Sequence, residues 1–160
     1  MGKNKFDYLI RRAGPADGTE LARLRYEFRT EGAPGVEPAS GFLLRCRSWM
    51  ERHLAERSPW RCWVAESDGM LVGTLWLQVI EKLPNPVNEE ERHGYISSVY
   101  VSPDFRHAGI GGALLDVCLA ECDRAAVDVV FLWATPKSRA LYRRKGFAPR
   151  DDLLDRRARP

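Results

Sequence analysis

The sequence predicts a mixed α/β fold: a central sheet with helices on both faces. Three observations carry this. The apolar patterning reads in the order β-α-α-β-β-β-α-β-α-β, which needs helices on more than one side of a sheet. Residues 95–115 read as a strand, a Pro-containing turn, a glycine-rich loop and an amphipathic helix. With the apolar stretch 127–134 they make a strand–helix–strand unit over 94–134, expected to be a right-handed crossover between parallel strands. Finally, 160 residues with 44% hydrophobic and 29% charged side chains suffice for one domain whose core needs no disulfide or metal.

The elements follow in order. Residues 6–12 alternate Phe6, Tyr8 and Ile10 on one face of a short strand, which Gly14-Pro15 breaks. Asp17-Gly18-Thr19-Glu20 has the spacing of a capping box, with Leu21, Leu24 and Phe28 then at helical intervals. Residues 32–39, rich in Pro and Gly, form a loop. Ser40 caps a second helix whose inner face is Phe42, Leu43, Cys46, Trp49, Met50 and Leu54. Ser58-Pro59 ends that region. Residues 60–67 make a strand, Asp68-Gly69 a two-residue hairpin turn, and 70–80 a long central strand apolar on both faces. Residues 82–92, with Pro84, Pro86 and Glu89 to Glu91, form a polar loop. The helix after the glycines carries Leu115, Cys118, Leu119 and Cys122, with Ile110, Leu114 and Val117 alongside. A strand over 127–134, a short helix over 136–145 and a last stretch after Gly146-Phe147 complete the chain.

Bulk properties narrow the function classes. The net charge of +3 comes from 25 basic and 22 acidic residues spread along the chain, a solvated surface rather than a nucleic-acid stripe. No apolar run is long enough for a membrane span. The first residues have neither a signal-peptide core nor the Ser or Thr that myristoylation expects at position 6. The four cysteines have no metal-site spacing and read as small buried residues in a reducing cytoplasm, with no metal.

The chemistry is concentrated at the glycines. Gly109, Gly111 and Gly112 open a helix, where unshielded backbone N–H groups and the helix dipole favour phosphate. A dinucleotide fingerprint fits poorly, because the spacing is G-x-G-G, late in the chain, with Leu114 where a third glycine belongs. A P-loop fits no better, because Gly112 is followed by Ala113-Leu114. A tight strand-to-helix turn that simply uses glycine is the structural alternative.

Two further patterns bear on the owner of the phosphate. Arg106-x-x-Gly109-x-Gly111 follows Val99-Tyr100-Val101-Ser102-Pro103, and Leu141-Tyr142-Arg143-Arg144-Lys145-Gly146-Phe147 lies some thirty residues on. Together they closely resemble the GNAT superfamily of acetyl-CoA-dependent N-acetyltransferases. The specific motifs cover residues 95–147, and the element order extends the resemblance over nearly the whole chain.

The resemblance implies one N-acetyltransferase domain over 1–160, with a core of about 6–153 and a tail of 154–160. It also implies a mixed, mostly antiparallel sheet of six or seven strands, about four helices, and a bulged strand splayed from its neighbour. Val99, Tyr100 and Val101 would offer backbone groups to the pantetheine arm of acetyl-CoA. Arg106, His107, Ala108, Gly109, Ile110, Gly111 and Gly112 would wrap its pyrophosphate. Tyr142 would be the acid for the departing thiolate. Thr135 stands where many members have Asn, and Ser138 where Ala is usual; both are assigned to the cofactor. The expected reaction is direct attack of a primary amine on the thioester, in a monomer or homodimer, with no nucleic-acid or membrane partner. A non-catalytic module that binds CoA or acetyl-CoA is the alternative.

The proton acceptor is the gap. Many members carry a carboxylate where this chain has Tyr95, Ser97 and Ser98, which leaves Glu81 and Glu31 as candidates. Acceptor specificity is expected from the first two helices, their Pro/Gly loop and the loop 82–92; Tyr26, Phe28, Trp49 and Trp76 could line such a site, although helical spacing favours the core for Phe28 and Trp49.

Overall fold

A hairpin organises the sheet. Asp68 (φ 49°) and Gly69 (φ 74°) are both left-handed, the turn that matches the natural twist of paired strands. They join β2 (Trp60–Ser67) to β3 (Met70–Glu81) in antiparallel register, with Ser67 opposite Met70. The computed structural model describes residues 7–35 and 37–157. β1 (Leu9–Arg12) pairs antiparallel with β2, and β4 (Arg92–Val101) antiparallel with β3. After α3 (Ile110–Arg124), β5 (Val129–Leu132) returns parallel to β4. The sheet order is therefore β1-β2-β3-β4-β5.

Among the described residues the sheet has five strands, fewer than the six or seven implied. The stretch after Gly146 forms no strand. Phe147 folds back instead: its N–H donates to the Tyr142 carbonyl at 3.1 Å, and its ring meets that of Tyr142 edge-on at 5.8 Å. Beyond it, Pro149 has no N–H to give a ladder, and Arg150-Asp151-Asp152 has no apolar face to bury. Of the first strand, Tyr8 and Ile10 pack on the core as expected, while Phe6 lies outside the described residues.

β4 carries the feature that shapes the site. Thr74 pairs with Tyr100 and Trp76 with Ser97, so Ser98 and Val99 together stand opposite Leu75. This is a β-bulge, and Ser98 takes φ 51° to make it. Before the bulge, Ile96 faces the α3 side of the sheet; after it, Val99 and Val101 do, and Tyr100 turns to the other side.

Each face of the sheet has its own core. On one side, α1 (Gly18–Thr30) and α2 (Ala39–His53) bury Leu21, Leu24 and Met50 against Cys62, Val64, Leu71, Trp76 and Tyr100. On the other, α3 buries Ile110, Leu114, Leu115, Cys118 and Cys122 against Trp63, Ala65, Leu75, Leu77 and Ile96, beside Tyr142 of α4 (Arg139–Arg144). Cys118 and Cys122 are thus free thiols in a packed interior, as the sequence reading has them. Val117 departs from expectation: it sits on the outer side of α3 and is exposed. Leu114 is fully buried, so Leu114→Ala should destabilise the chain by about 2–5 kcal/mol, read by urea unfolding.

The helix starts also differ from their sequence signatures. The Asp17 carboxylate makes no cap bond to α1. It accepts from the Gly14 N–H at 2.9 Å and from both Nη groups of Arg11 at 2.9 and 2.8 Å, while Arg11 Nε donates to Glu66 at 2.8 Å. Glu20 pairs with Arg23 instead of reaching back. A guanidinium across the strand end outbids the helix amides for the carboxylate. Ser40 lies within the first turn of α2, which starts one residue earlier at Ala39.

The Arg11 hydrogen bonds hold the Asp17 carboxyl below its usual pKa, against a smaller opposing effect of burial. A depressed acid stabilises the fold above its unfolded pKa of about 3.9, and that stability is lost as pH falls through the folded value. Asp17→Asn should therefore cost about 1 kcal/mol at neutral pH, with the two unfolding curves converging in strong acid.

Candidate active site

The glycine-rich turn sets the site. His107 (φ 64°) and Gly109 (φ 82°) are both left-handed, and the first bond of α3 runs from the Ala113 N–H to the Gly109 carbonyl. The N–H groups of Ile110, Gly111 and Gly112 precede that bond and have no acceptor within the helix. A Cβ on Gly111 would meet Leu141 Cδ2 at 3.5 Å and Val101 Cγ2 at 4.0 Å, ordinary contacts. Packing alone does not demand glycine there, so the requirement is on the open side of the turn.

That side is a groove of about 940 Å³ between the start of α3, the outer half of β4 and α4. Val99, Tyr100, Val101, Arg106, His107, Gly109, Ile110, Gly111, Gly112, Thr135, Ser138 and Tyr142 all line it. Ala108 does not; its side chain is buried in the core beneath α3. The groove exists because β4 and β5 separate. Their last paired residues are Ile96 and Leu132, which leaves residues 97–101 without a strand partner on that side.

Arg106 is already engaged. Its Nε donates to the Val101 carbonyl at 2.9 Å, and its Nη groups pair with both carboxylate oxygens of Glu31 at 2.6 and 2.9 Å. The guanidinium also lies 5.7 Å from the centre of the Tyr100 ring. This pairing holds the exposed Glu31 carboxyl below its ordinary pKa, so Glu31 is a poor proton acceptor at the phosphate end. Glu81 lies opposite Arg92 at the far end of β3 and borders a separate depression formed by the 82–92 loop. Neither expected base candidate reaches the bulge.

At the inner end, the Tyr142 N–H donates to the Ser138 carbonyl at 3.3 Å, and the Ser138 side chain acts on the phenol. Ser138 Oγ in turn is 3.0 Å from Thr135 Oγ1 and accepts the Thr135 N–H at 3.0 Å. Burial pushes the Tyr142 phenol pKa up, outweighing the opposing effect of Ser138, so the phenol keeps its proton at neutral pH. Thr135 and Ser138 thus brace each other and hold the phenol.

A second cavity, about 450 Å³, opens beside the bulge and is lined by Ser97, Ser98, Arg25, Phe42, Cys46 and three tryptophans, among others. Trp76 lines it as expected, and Trp49, expected first in the core, lines it too. Phe28 lines the first groove instead, and Tyr26 packs on Phe42 at 5.8 Å. His53, stacked on Trp49 at 3.9 Å, and His93, 2.9 Å from Glu91, lie outside both cavities.

Residues 24–147 match the Acetyltransferase (GNAT) family. The chain belongs to this family. A protein named as a probable N-acetyltransferase in Mycobacterium tuberculosis is 26% identical over 148 residues, 86% of this chain and 78% of its own length. A GCN5-related N-acetyltransferase from Ralstonia eutropha superposes with a TM-score of 0.75 at 27% identity, over 94% of this chain and 98% of its own. A protein from Clostridium acetobutylicum described as a predicted acetyltransferase, solved with acetyl-CoA, gives a TM-score of 0.77 at 24% identity, over 94% and 96% of the two chains. This last likeness speaks for the fold.

As a GNAT acetyltransferase, the chain is an acyltransferase that moves acetyl groups, and the mostly antiparallel sheet with a bulged, splayed β4 is the family fold. The family reading favours an enzyme over a non-catalytic module. Among the described residues, no helix is long and apolar enough to cross a membrane.

Proposed function

We propose that this GNAT acetyltransferase moves the acetyl group of acetyl-CoA to a primary amine by direct attack. The observation that carries the reading is the single groove that brings together free helix N–H groups, an unpaired strand edge and a buried, protonated Tyr142. The first suits a pyrophosphate. The second suits the amides of a pantetheine arm laid along residues 97–101. The third suits a departing thiolate. The fit is also steric, since the open side of Gly111 leaves phosphate oxygens a close approach to the backbone.

In this reaction the amine N–C bond forms and the thioester C–S bond breaks, giving the N-acetyl product and the CoA thiol. The Val99 N–H polarises the thioester carbonyl. Tyr142 gives its proton to the sulfur and is restored by the proton that the nitrogen loses as the amide forms, by way of solvent, while Ser138 holds the phenol in line. No carboxylate lines the second cavity, so the amine loses its proton to solvent. For an alkyl amine at pH 7 that deprotonation costs ~4–5 kcal/mol. kcat/KM should accordingly rise with pH until the free amine's own pKa. A plateau set by an enzyme group well below that pKa would show that a protein base had been missed.

The direct test is a thermal melt with acetyl-CoA followed by thiol-release assays on amines. A ligand at 100 times its Kd adds about 2.7 kcal/mol of stability. No shift at millimolar acetyl-CoA would defeat the proposal.

A further inference from the structure

The second cavity has a composition that selects its occupant. Its apolar wall is a cluster of indoles: Trp49 and Trp76 lie 5.7 Å apart, Trp49 and Trp60 5.4 Å, and Trp60 and Trp76 6.2 Å. Its polar wall is Arg25, Arg45 and the serines of the bulge, with no acidic residue. Arg45 is neutralised by an ion pair with Glu37. Arg25 is different. It is half-buried, its Nη1 donates to the Ser98 hydroxyl at 2.9 Å, and its guanidinium lies 5.9 Å from the Phe28 ring. Among the described residues it pairs with no carboxylate, and the largest charge effect on it is repulsion from a second cation, Arg29.

A guanidinium partly removed from water without a counterion is costly, and its planar fork is matched to a carboxylate. One of its nitrogens is fixed by Ser98, which orients the rest. Ser98 is also the bulge residue itself, so Arg25 is registered to the point where the cavity meets the cofactor groove. Ser97 and Ser98 line the cavity, and the next residues, Val99 to Val101, line the groove.

We propose that the acceptor is a small amine that also carries a carboxylate and an apolar body, as a hydrophobic amino acid does. The carboxylate sits on Arg25, the body against Trp49, Trp60 and Trp76, and the amine at the bulge. This inference rests on the acetyl-transfer reading above. The cavity volume is that of a small-molecule site. A polyamine would meet the unpaired Arg25 and no acid, and an internal peptide unit would leave Arg25 unpaired.

The test uses free phenylalanine, tryptophan and leucine, each beside its carboxamide and its decarboxylated amine. Thiol release from acetyl-CoA is measured for each, and binding of the amino acids is followed by isothermal titration into protein saturated with CoA. The wild type is compared with Arg25→Met, which keeps the apolar stem, and Arg25→Lys, which keeps the charge. At least one amino acid should exceed its carboxylate-free analogues by about 10- to 100-fold in kcat/KM. Arg25→Met should remove that preference, Arg25→Lys should retain part of it, and the melting shift given by acetyl-CoA should stay as in the wild type.

Equal or better turnover of the decarboxylated amines would overturn the inference while leaving acetyl transfer intact. Arg25-dependent binding of an amino acid with no thiol release would support the site and count against the proposed reaction. No binding of any of the three, or a preference that survives in Arg25→Met, would overturn the inference.

Discussion

Tyr142→Phe is expected to lower turnover by ~10²–10⁴-fold, the usual contribution of a positioned general acid. The ring keeps its edge-on contact with Phe147 and its place under α3, so only the hydroxyl is removed. The fold should lose no more than about 1 kcal/mol, the worth of a single hydroxyl contact. Affinity for acetyl-CoA should change by no more than about two-fold, because the loss belongs to the transition state. Single-turnover quench, with chemistry limiting, is the measurement that isolates the step. Unchanged single-turnover rates would assign the proton transfer elsewhere and leave Tyr142 a core aromatic.

The second large effect is at the helix start. Gly109→Asp puts a carboxylate against the pyrophosphate and cancels part of the field of the free N–H groups, and acetyl-CoA should no longer raise the melting temperature at millimolar concentration. The left-handed φ of 82° makes some loss of stability inevitable, about 1–2 kcal/mol. Gly111→Ala separates the two causes. Its Cβ has ordinary neighbours on the protein side, so the free protein should be as stable as the wild type or slightly more so. Acetyl-CoA affinity should still fall, because the methyl group stands between phosphate and backbone. Full affinity in Gly111→Ala would mean the phosphates lie elsewhere.

What could be read in the chain beforehand was local. Glycines at a helix start, Asp-Gly between alternating strands and the Leu-Tyr-x-x-x-Gly-Phe pattern announce their geometry through residue type alone. The features that escaped depend on contacts distant in sequence. The Asp17 carboxylate satisfies the capping pattern but is captured by Arg11 across the strand end. Glu31 reads as a free acid in the sequence, yet Arg106, 75 residues away, is paired with it. Arg25 sits one position past Leu24 on α1, and nothing in its spacing distinguishes it from the other basic residues. Its significance comes only from the bulge at Ser98 and the tryptophans brought beside it by α2, β2 and β3. Ser98 itself is a serine in a left-handed conformation, and residue type gives little warning of that.

The bulge in β4 also changes what kinds of sequence variation the site can survive. One extra residue converts an even-numbered inward face, Ile96, into an odd-numbered one, Val99 and Val101. Substitutions along this strand alter one side chain at a time. Removing a single residue between 97 and 99 would restore strict alternation and still leave Tyr100 away from α3 and Val101 towards it. Cofactor groove and acceptor cavity would keep their walls and lose the bend between them. For this strand, residue identity sets the faces and chain length sets the backbone path.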